Sequence, residues 1–197
     1  MFRAVVLLGL TISLACAGGA AAQRRAAARR DGAGAGLWYG FGLASGWARV
    51  TCTICAGDRK GGMSAFAGLG GSTSRSLRIG AELAAWRHQG GNVTQTLTAI
   101  GAAAYWFPTR RRQLYLKGGA ALVTHRADDG TNVITSTGIG PQMGIGYEFP
   151  FGRKWALAPF FHYAVGVIGG GVKFNGGQAA DRATVSFLQV GVSLTRP

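Results

Sequence analysis

At 197 residues the chain has room for one domain, and its 34 glycines follow no G-X-Y period and no Ser/Pro tract, which excludes a collagen and wholesale disorder. The formal net charge of +14 calls for an anionic partner, either nucleic acid or a membrane surface. Seven Asp+Glu and three His leave little material for acid–base chemistry or a metal centre, and no cofactor motif is present.

Residues 1–22 read as a secretory signal, with Arg3 as the positive start, an apolar stretch over 4–15 and Ala20-Ala21-Ala22 as an A-x-A-like cleavage site. The apolar stretch is too short to span a bilayer. A lipoprotein-type modification would fall on Cys16, but Ser13 stands where an aliphatic residue is expected. Removing the leader takes Arg3 and no carboxylate, so the remainder keeps a net charge of +13. Export argues against nucleic acid and for an anionic membrane surface such as the phosphates of lipopolysaccharide, because Arg pairs bidentately with phosphate. Residues 23–36, with Arg24-Arg25 and Arg29-Arg30 around three alanines, read as a flexible basic arm.

Regular alternation starts at Leu37. Residues 37–49 put Leu37, Tyr39, Phe41, Leu43 and Trp47 on one face and Gly40, Gly42, Ala44 and Gly46 on the other, as side chains alternate across a strand. The linker 50–60 carries Cys52 and Cys55. A C-x2-C can ligate zinc, but about four ligands are needed and no second pair exists; no βαβ pattern supports a redox motif. In an exported chain the favoured reading is a small structural disulfide.

A weaker Gly-rich strand over 62–70 and a turn at 72–75 lead into 77–87, where Leu77, Ile79, Ala81 and Leu83 oppose Arg78, Gly80, Glu82 and Ala84. A Gly-Gly loop at 88–92 precedes a fourth strand over 93–107. Its phase is unclear, with Thr94, Thr96 and Thr98 opposing Leu97 and Ala99, and a bulge is expected there. After the basic turn 108–113, a fifth strand over 114–125 sets Leu114, Leu116 and Leu122 against Tyr115, Lys117 and Gly119. A polar loop over 127–135 precedes the cleanest alternation, 139–149, in which Ile139, Met143, Ile145, Tyr147 and Phe149 oppose Gly140, Gln142, Gly144, Gly146 and Glu148. A turn at 150–154, a seventh strand over 155–168, a Gly-rich loop over 169–182 and an eighth strand over 183–194 complete the chain.

No amphipathic helix competes with this pattern, and strands without intervening helices form antiparallel hairpins. Connections after strands 2, 4 and 6 are short and the others longer, as expected when one rim of a membrane barrel carries turns and the other external loops. Aromatics gather at the turn-side rim (Trp38, Tyr39, Trp106, Phe107, Tyr147, Phe149, Trp155), with Trp47, Trp86 and Tyr163 nearer the other, as interfacial girdles require. Arg78, Glu82, Lys117, Gln142, Glu148, His162 and Gln189 share the phase of the small residues and form the expected polar cluster of the interior, where charges must pair. Large inward residues (Trp86, Phe160, Phe187) should plug a lumen this narrow. Pro141 and Pro159 sit inside strands although a closed barrel has no edge to hide them.

The expected fold class is all-β: an eight-stranded antiparallel up-and-down transmembrane β-barrel over 37–197. Three segments, Leu37-Trp38-Tyr39-Gly40-Phe41-Gly42, Gly144-Ile145-Gly146-Tyr147-Glu148-Phe149 and Gln189-Val190-Gly191-Val192-Ser193-Leu194, carry a resemblance. From Gly36 onward the chain resembles the small outer-membrane barrels of the OmpA/OmpX-like and opacity-type superfamily. The resemblance implies residence in the outer membrane, contact with its lipid and lipopolysaccharide, and the barrel-insertion machinery as a partner. Some barrels of this architecture deacylate lipid A with a strand His followed two residues on by Ser. Here His162 is followed by Ala164, so the nucleophile is missing and no enzyme is expected. The expected role is structural or surface-interacting through loops 50–60, 126–135 and 169–182. A narrow pore and a lipocalin-like periplasmic carrier of an apolar ligand stand as alternatives; the sequence names no surface partner.

Overall fold

The described residues of the computed structural model are 36–52, 57–109, 113–152 and 154–196. The expected leader, nearly all of the basic arm and Cys55 lie outside them. The strands, in chain order, are β1 (Leu37–Cys52), β2 (Lys60–Ser72), β3 (Leu77–Gly90), β4 (Val93–Trp106), β5 (Leu114–Asp128), β6 (Val133–Tyr147), β7 (Phe149–Phe151), β8 (Trp155–Gly166), β9 (Ile168–Phe174), β10 (Gly177–Ala180) and β11 (Ala183–Arg196).

Eight of them close a ring. Each of β1 to β5 pairs antiparallel with its successor, β6 pairs with β8, β8 with β11, and β11 returns to β1 from Tyr39↔Arg196 to Cys52↔Ala183 without a break. β9 takes over from β8 beyond Val167 along the upper part of β6, and β10 folds back on β9. β7 adds to β8 in the register that β6 already keeps with it.

Alternation decides which residues face out. On β3, Ile79 and Leu83 are 47% and 45% exposed, while Arg78 and Glu82 between them are 5% and 6% exposed. The same inversion holds around the ring, where Leu43, Leu69, Ile100, Ile139 and Val190 stand exposed on the outside. An apolar exterior over a partly polar interior is the arrangement of a barrel whose solvent is lipid. It is the opposite of what a soluble apolar-ligand carrier needs.

Three of the expected loops at the end of the ring opposite the turns, 88–92, 127–135 and 169–182, prove to be mostly strand. β3 and β4 meet across Gly91-Asn92 alone, and β5 and β6 across 129–132. The region 169–182 is the β9–β10 hairpin, turned by Asn175-Gly176 with φ of +47° and +85°, the positive values a two-residue type I′ turn demands. The barrel strands run 12 to 16 residues, longer than the roughly 9–11 a tilted crossing needs, so their upper ends extend past the apolar band. This end is termed the upper rim and the other the turn rim.

The bulge expected over 93–107 is absent: β4 keeps one register with β3 and one with β5 along its length. Its threonines face outward, and Leu97, Ala99, Ala103 and Tyr105 face in. The phase was hard to read because the run Ala102-Ala103-Ala104 has no contrast between faces.

The prolines sit where the ladder is already interrupted. Pro141 lies inside the shift by which β6 exchanges β8 for β9. Pro159 lies where the ladder between β8 and its neighbour lapses between Gly146↔Phe160 and Phe149↔Leu157, so its missing N–H separates β6 from β7 without changing the register.

Leu43 is an outward residue well inside the apolar band, and Leu43→Arg is expected to destabilise the barrel in lipid vesicles by about 2–4 kcal/mol, the cost of a cation near the bilayer midplane. Denaturant unfolding in vesicles reads it; a change under about 0.5 kcal/mol would place that face in water.

Candidate functional site

The lumen is built in layers from the turn rim upward. At the bottom, Arg78 of β3 reaches across to Glu148, which follows β6: Nη1 donates to Oε1 at 2.6 Å and Nη2 to Oε2 at 3.2 Å. The Phe107 ring lies 4.4 Å from the Arg78 guanidinium carbon, and Trp38, Tyr105 and Tyr115 pack around the pair. One layer higher, Lys117 Nζ of β5 donates to Glu82 Oε2 of β3 at 2.9 Å, and the Tyr105 hydroxyl donates to Glu82 Oε1. Both ion pairs are almost fully buried. A buried carboxylate in such a setting must be met by a cation or by donors, and here each meets a cation.

The next layer is neutral. Gln142 donates to the Ala102 and Ala120 carbonyls at 3.2 and 3.5 Å, and Ser64 Oγ donates to Gln189 Oε1 at 3.4 Å. His162 packs between Phe160, a tilted ring 4.4 Å away, and Phe66, met edge to face at 5.1 Å. Neither of its nitrogens has a partner among the described residues, and Glu82, the carboxylate of the layer below, is taken by Lys117 and Tyr105. An internal cavity of about 20 Å³ beside His162, Lys117 and Gln142 has room for one water, which could serve the imidazole. Gly144 makes the space, since a Cβ there would stand 2.5 Å from His162 Cδ2.

Above the polar layers an apolar plug closes the lumen. It contains Trp86, Leu97, Val123, Val185 and Phe187 with small alanines between them. Trp86 of β3 reaches over β2, donating from Nε1 to the Gly46 carbonyl of β1 at 2.9 Å. Over the plug lies an open cavity of about 410 Å³, lined mainly by Ala48, Val50, Ala127, Ile134, Val172 and Phe174, with Gln95, His125 and Ser136 on its wall.

A closed ring of eight antiparallel strands, apolar outside and polar within, leaves one architecture. The fold is that of the small eight-stranded outer-membrane β-barrels. Neisserial surface protein A has it at 18% identity and a TM-score of 0.59, with 82% of this chain and 98% of that one covered. Ail, the attachment invasion locus protein of Yersinia pestis, aligns at 10% identity and a TM-score of 0.49 over 80% of this chain and 97% of that one. No family model matches the chain, and no curated protein matches it.

All seven residues expected in the barrel's interior polar cluster are buried there, but as two separate ion pairs, two glutamines with their own partners and a histidine held by aromatic rings. Of the expected interfacial aromatics, Tyr39, Trp106, Tyr147, Phe149 and Trp155 stand outward at the turn rim. Tyr39 and Trp155 meet edge to face at 5.7 Å, and Tyr147 and Phe149 pack with tilted rings at 4.6 Å. Trp38, Phe107 and, from the girdle expected at the other rim, Trp86 are corrections: they are 3%, 2% and 2% exposed and belong to the lumen. Neighbours on a strand point to opposite faces, so Trp38 cannot share the girdle with Tyr39. Cys52 ends β1 and is disulfide-bonded. Residues missed by the sequence reading include Tyr105 and Tyr115, whose inward phase matched the small residues, and Gln95, His125 and Ser136 of the cavity; Gln95 and His125 lay within expected strands but carried no motif, and Ser136 fell between an expected loop and the next expected strand.

Glu82→Gln leaves the Lys117 ammonium buried without its counter-charge and is expected to cost about 3–5 kcal/mol in denaturant unfolding. Adding Lys117→Met should recover most of that loss, because the double change removes both charges. Additive losses would mean that the two residues do not act as a pair.

Proposed function

We propose that this is a non-conducting, non-enzymatic outer-membrane barrel whose upper rim faces the outside and mediates surface interaction. The observation that carries the reading is the stacked lumen. Two ion-pair layers, a neutral layer and an apolar plug succeed one another, and cavities found between the described residues of these layers hold only about 20 Å³ each. A pore needs a continuous water path, so this packing counts against it. The exposed apolar exterior counts likewise against a soluble carrier. Export by residues 1–22, trimming to a basic arm over 23–36 and insertion by the barrel machinery belong to the same reading.

A seat among lipopolysaccharide has its own support. Arg87 on β3, Thr96 on β4, Arg126 on β5, Thr135 on β6 and Lys173 on β9 follow one another in a single cross-strand row. The three basic residues of that row are exposed, on the outer face of the barrel near the upper rim. Such a row suits the phosphates of lipid headgroups, which Arg binds through paired N–H donors.

In planar bilayers the refolded barrel is expected to give no stepwise ion current; steady unitary conductance would replace this reading with the pore. Thermal unfolding in vesicles should rise when lipopolysaccharide is added. The change of Arg87, Arg126 and Lys173 together to Ser should abolish that rise, and an unaltered rise would remove the row from headgroup binding.

A further inference from the structure

The cavity at the upper rim has features that neither membrane residence nor a sealed lumen calls for. Outside the barrel, exposed leucines and isoleucines are explained by lipid. Ile134 and Phe174 are not, for they sit directly opposite each other on β6 and β9, line the inner cavity, and are still 40% and 46% exposed. Beneath them Val172 and Val50 continue the apolar wall. Apolar surface left open inside a concave wall is the usual lining of a small-molecule site, and about 410 Å³ falls within the range such sites occupy.

The polar groups of the wall point the same way. Ser136 is 1% exposed and its Oγ has no hydrogen-bond partner among the described residues. His125, 6% exposed, uses Nε2 on Gln95 Oε1 at 3.3 Å, while its Nδ1 has no partner among them. Buried hydroxyl and imidazole groups left unsatisfied are costly, and a bound molecule that meets them recovers that cost. The charged residues of the lining, Arg49, Asp58 and Lys60, are exposed, so the deeper wall offers hydrogen bonds and no charge.

The wall is also held in place. Asn175 Oδ1 accepts from Val133 N–H at 2.7 Å and Asn175 N–H donates to the Val133 carbonyl at 2.9 Å, tying the β9–β10 turn to β6. In the β5–β6 turn, hydrogen bonds from the Asn132 and Thr131 N–H groups hold the Asp129 carboxyl below the usual carboxylate range. A braced wall binds without a large ordering cost.

We propose that this cavity binds a small neutral molecule with an apolar body and one hydroxyl or carbonyl group. The apolar body packs against Val50, Ile134, Val172 and Phe174, and the polar group meets Ser136 and His125. The inference goes beyond the role proposed above and does not depend on it, since a conducting barrel could carry the same site.

The test is a titration of the ¹⁵N-labelled barrel in lipid nanodiscs with 1-naphthol, which has two fused rings and one hydroxyl. Saturable amide shifts are expected at Gln95, His125, Ser136 and Val172. Ser136→Ala should weaken the Kd roughly three- to tenfold, the worth of one hydrogen bond. Val172→Trp should abolish the saturable shifts by filling the cavity, with folding checked by an otherwise unchanged amide spectrum. Shifts that fail to saturate and cluster on lipid-facing residues such as Leu43 and Ile100 would overturn the proposal. So would an unaltered Kd in Ser136→Ala, which keeps the test decisive if Val172→Trp does not fold.

Discussion

Everything in this barrel depends on closure. In hydrocarbon no water is at hand to satisfy a backbone N–H or C=O, so a sheet can enter lipid only if it has no edge. The β1–β11 seam supplies that condition with fourteen residue pairs in one unbroken register. Closure then dictates the faces. Lipid takes the apolar set, and the other set is confined in a lumen that eight strands make only side-chain wide. Confinement forces the rest: carboxylates must meet cations, large rings must alternate with glycine and alanine, and proline must fall where the ladder lapses.

The interior ties are not decoration of a finished ring. Arg78–Glu148 and Lys117–Glu82 each join strands that are not neighbours, as does the Trp86 hydrogen bond to Gly46. Gly46 is needed there, because a Cβ would stand 2.6 Å from Trp86 Cδ1. A buried ion pair adds little net stability against a well-packed apolar alternative. Its value here is geometric, since a charge enclosed in the lumen accepts only the arrangement that brings its partner near. The packing stops at the apolar plug, and above it the same strands enclose an open space.

Much of this was legible in the sequence wherever two faces contrast. The segment Ile139 to Phe149 reads at sight, and Arg78, Glu82 and Lys117 could be placed inside from phase alone. Legibility failed for two physical reasons. Where both faces are small, as over Gly101 to Ala104, phase disappears and a regular strand resembles a bulged one. Where an aromatic pair sits at a strand end, composition suggests a girdle, while alternation sends one of the two rings inward; Trp38 and Phe107 are the rings so misplaced. The upper rim was hidden for a third reason. Gly-rich, polar sequence reads as loop, yet Asn175-Gly176 and Gly91-Asn92 turn hairpins that keep their hydrogen bonds to the tip. The cavity residues Gln95, His125 and Ser136 belong to those extended strands, so their convergence is a property of register and not of any local motif.

The most direct test of the account is whether lipid or water is the solvent of the exterior. The chain from Gln23 onward, refolded into detergent, should show β-type circular dichroism and migrate differently on gel electrophoresis when boiled and unboiled. A folded chain that stays in solution without detergent, with no heat-dependent mobility, would contradict the assignment of faces on which the rest is built.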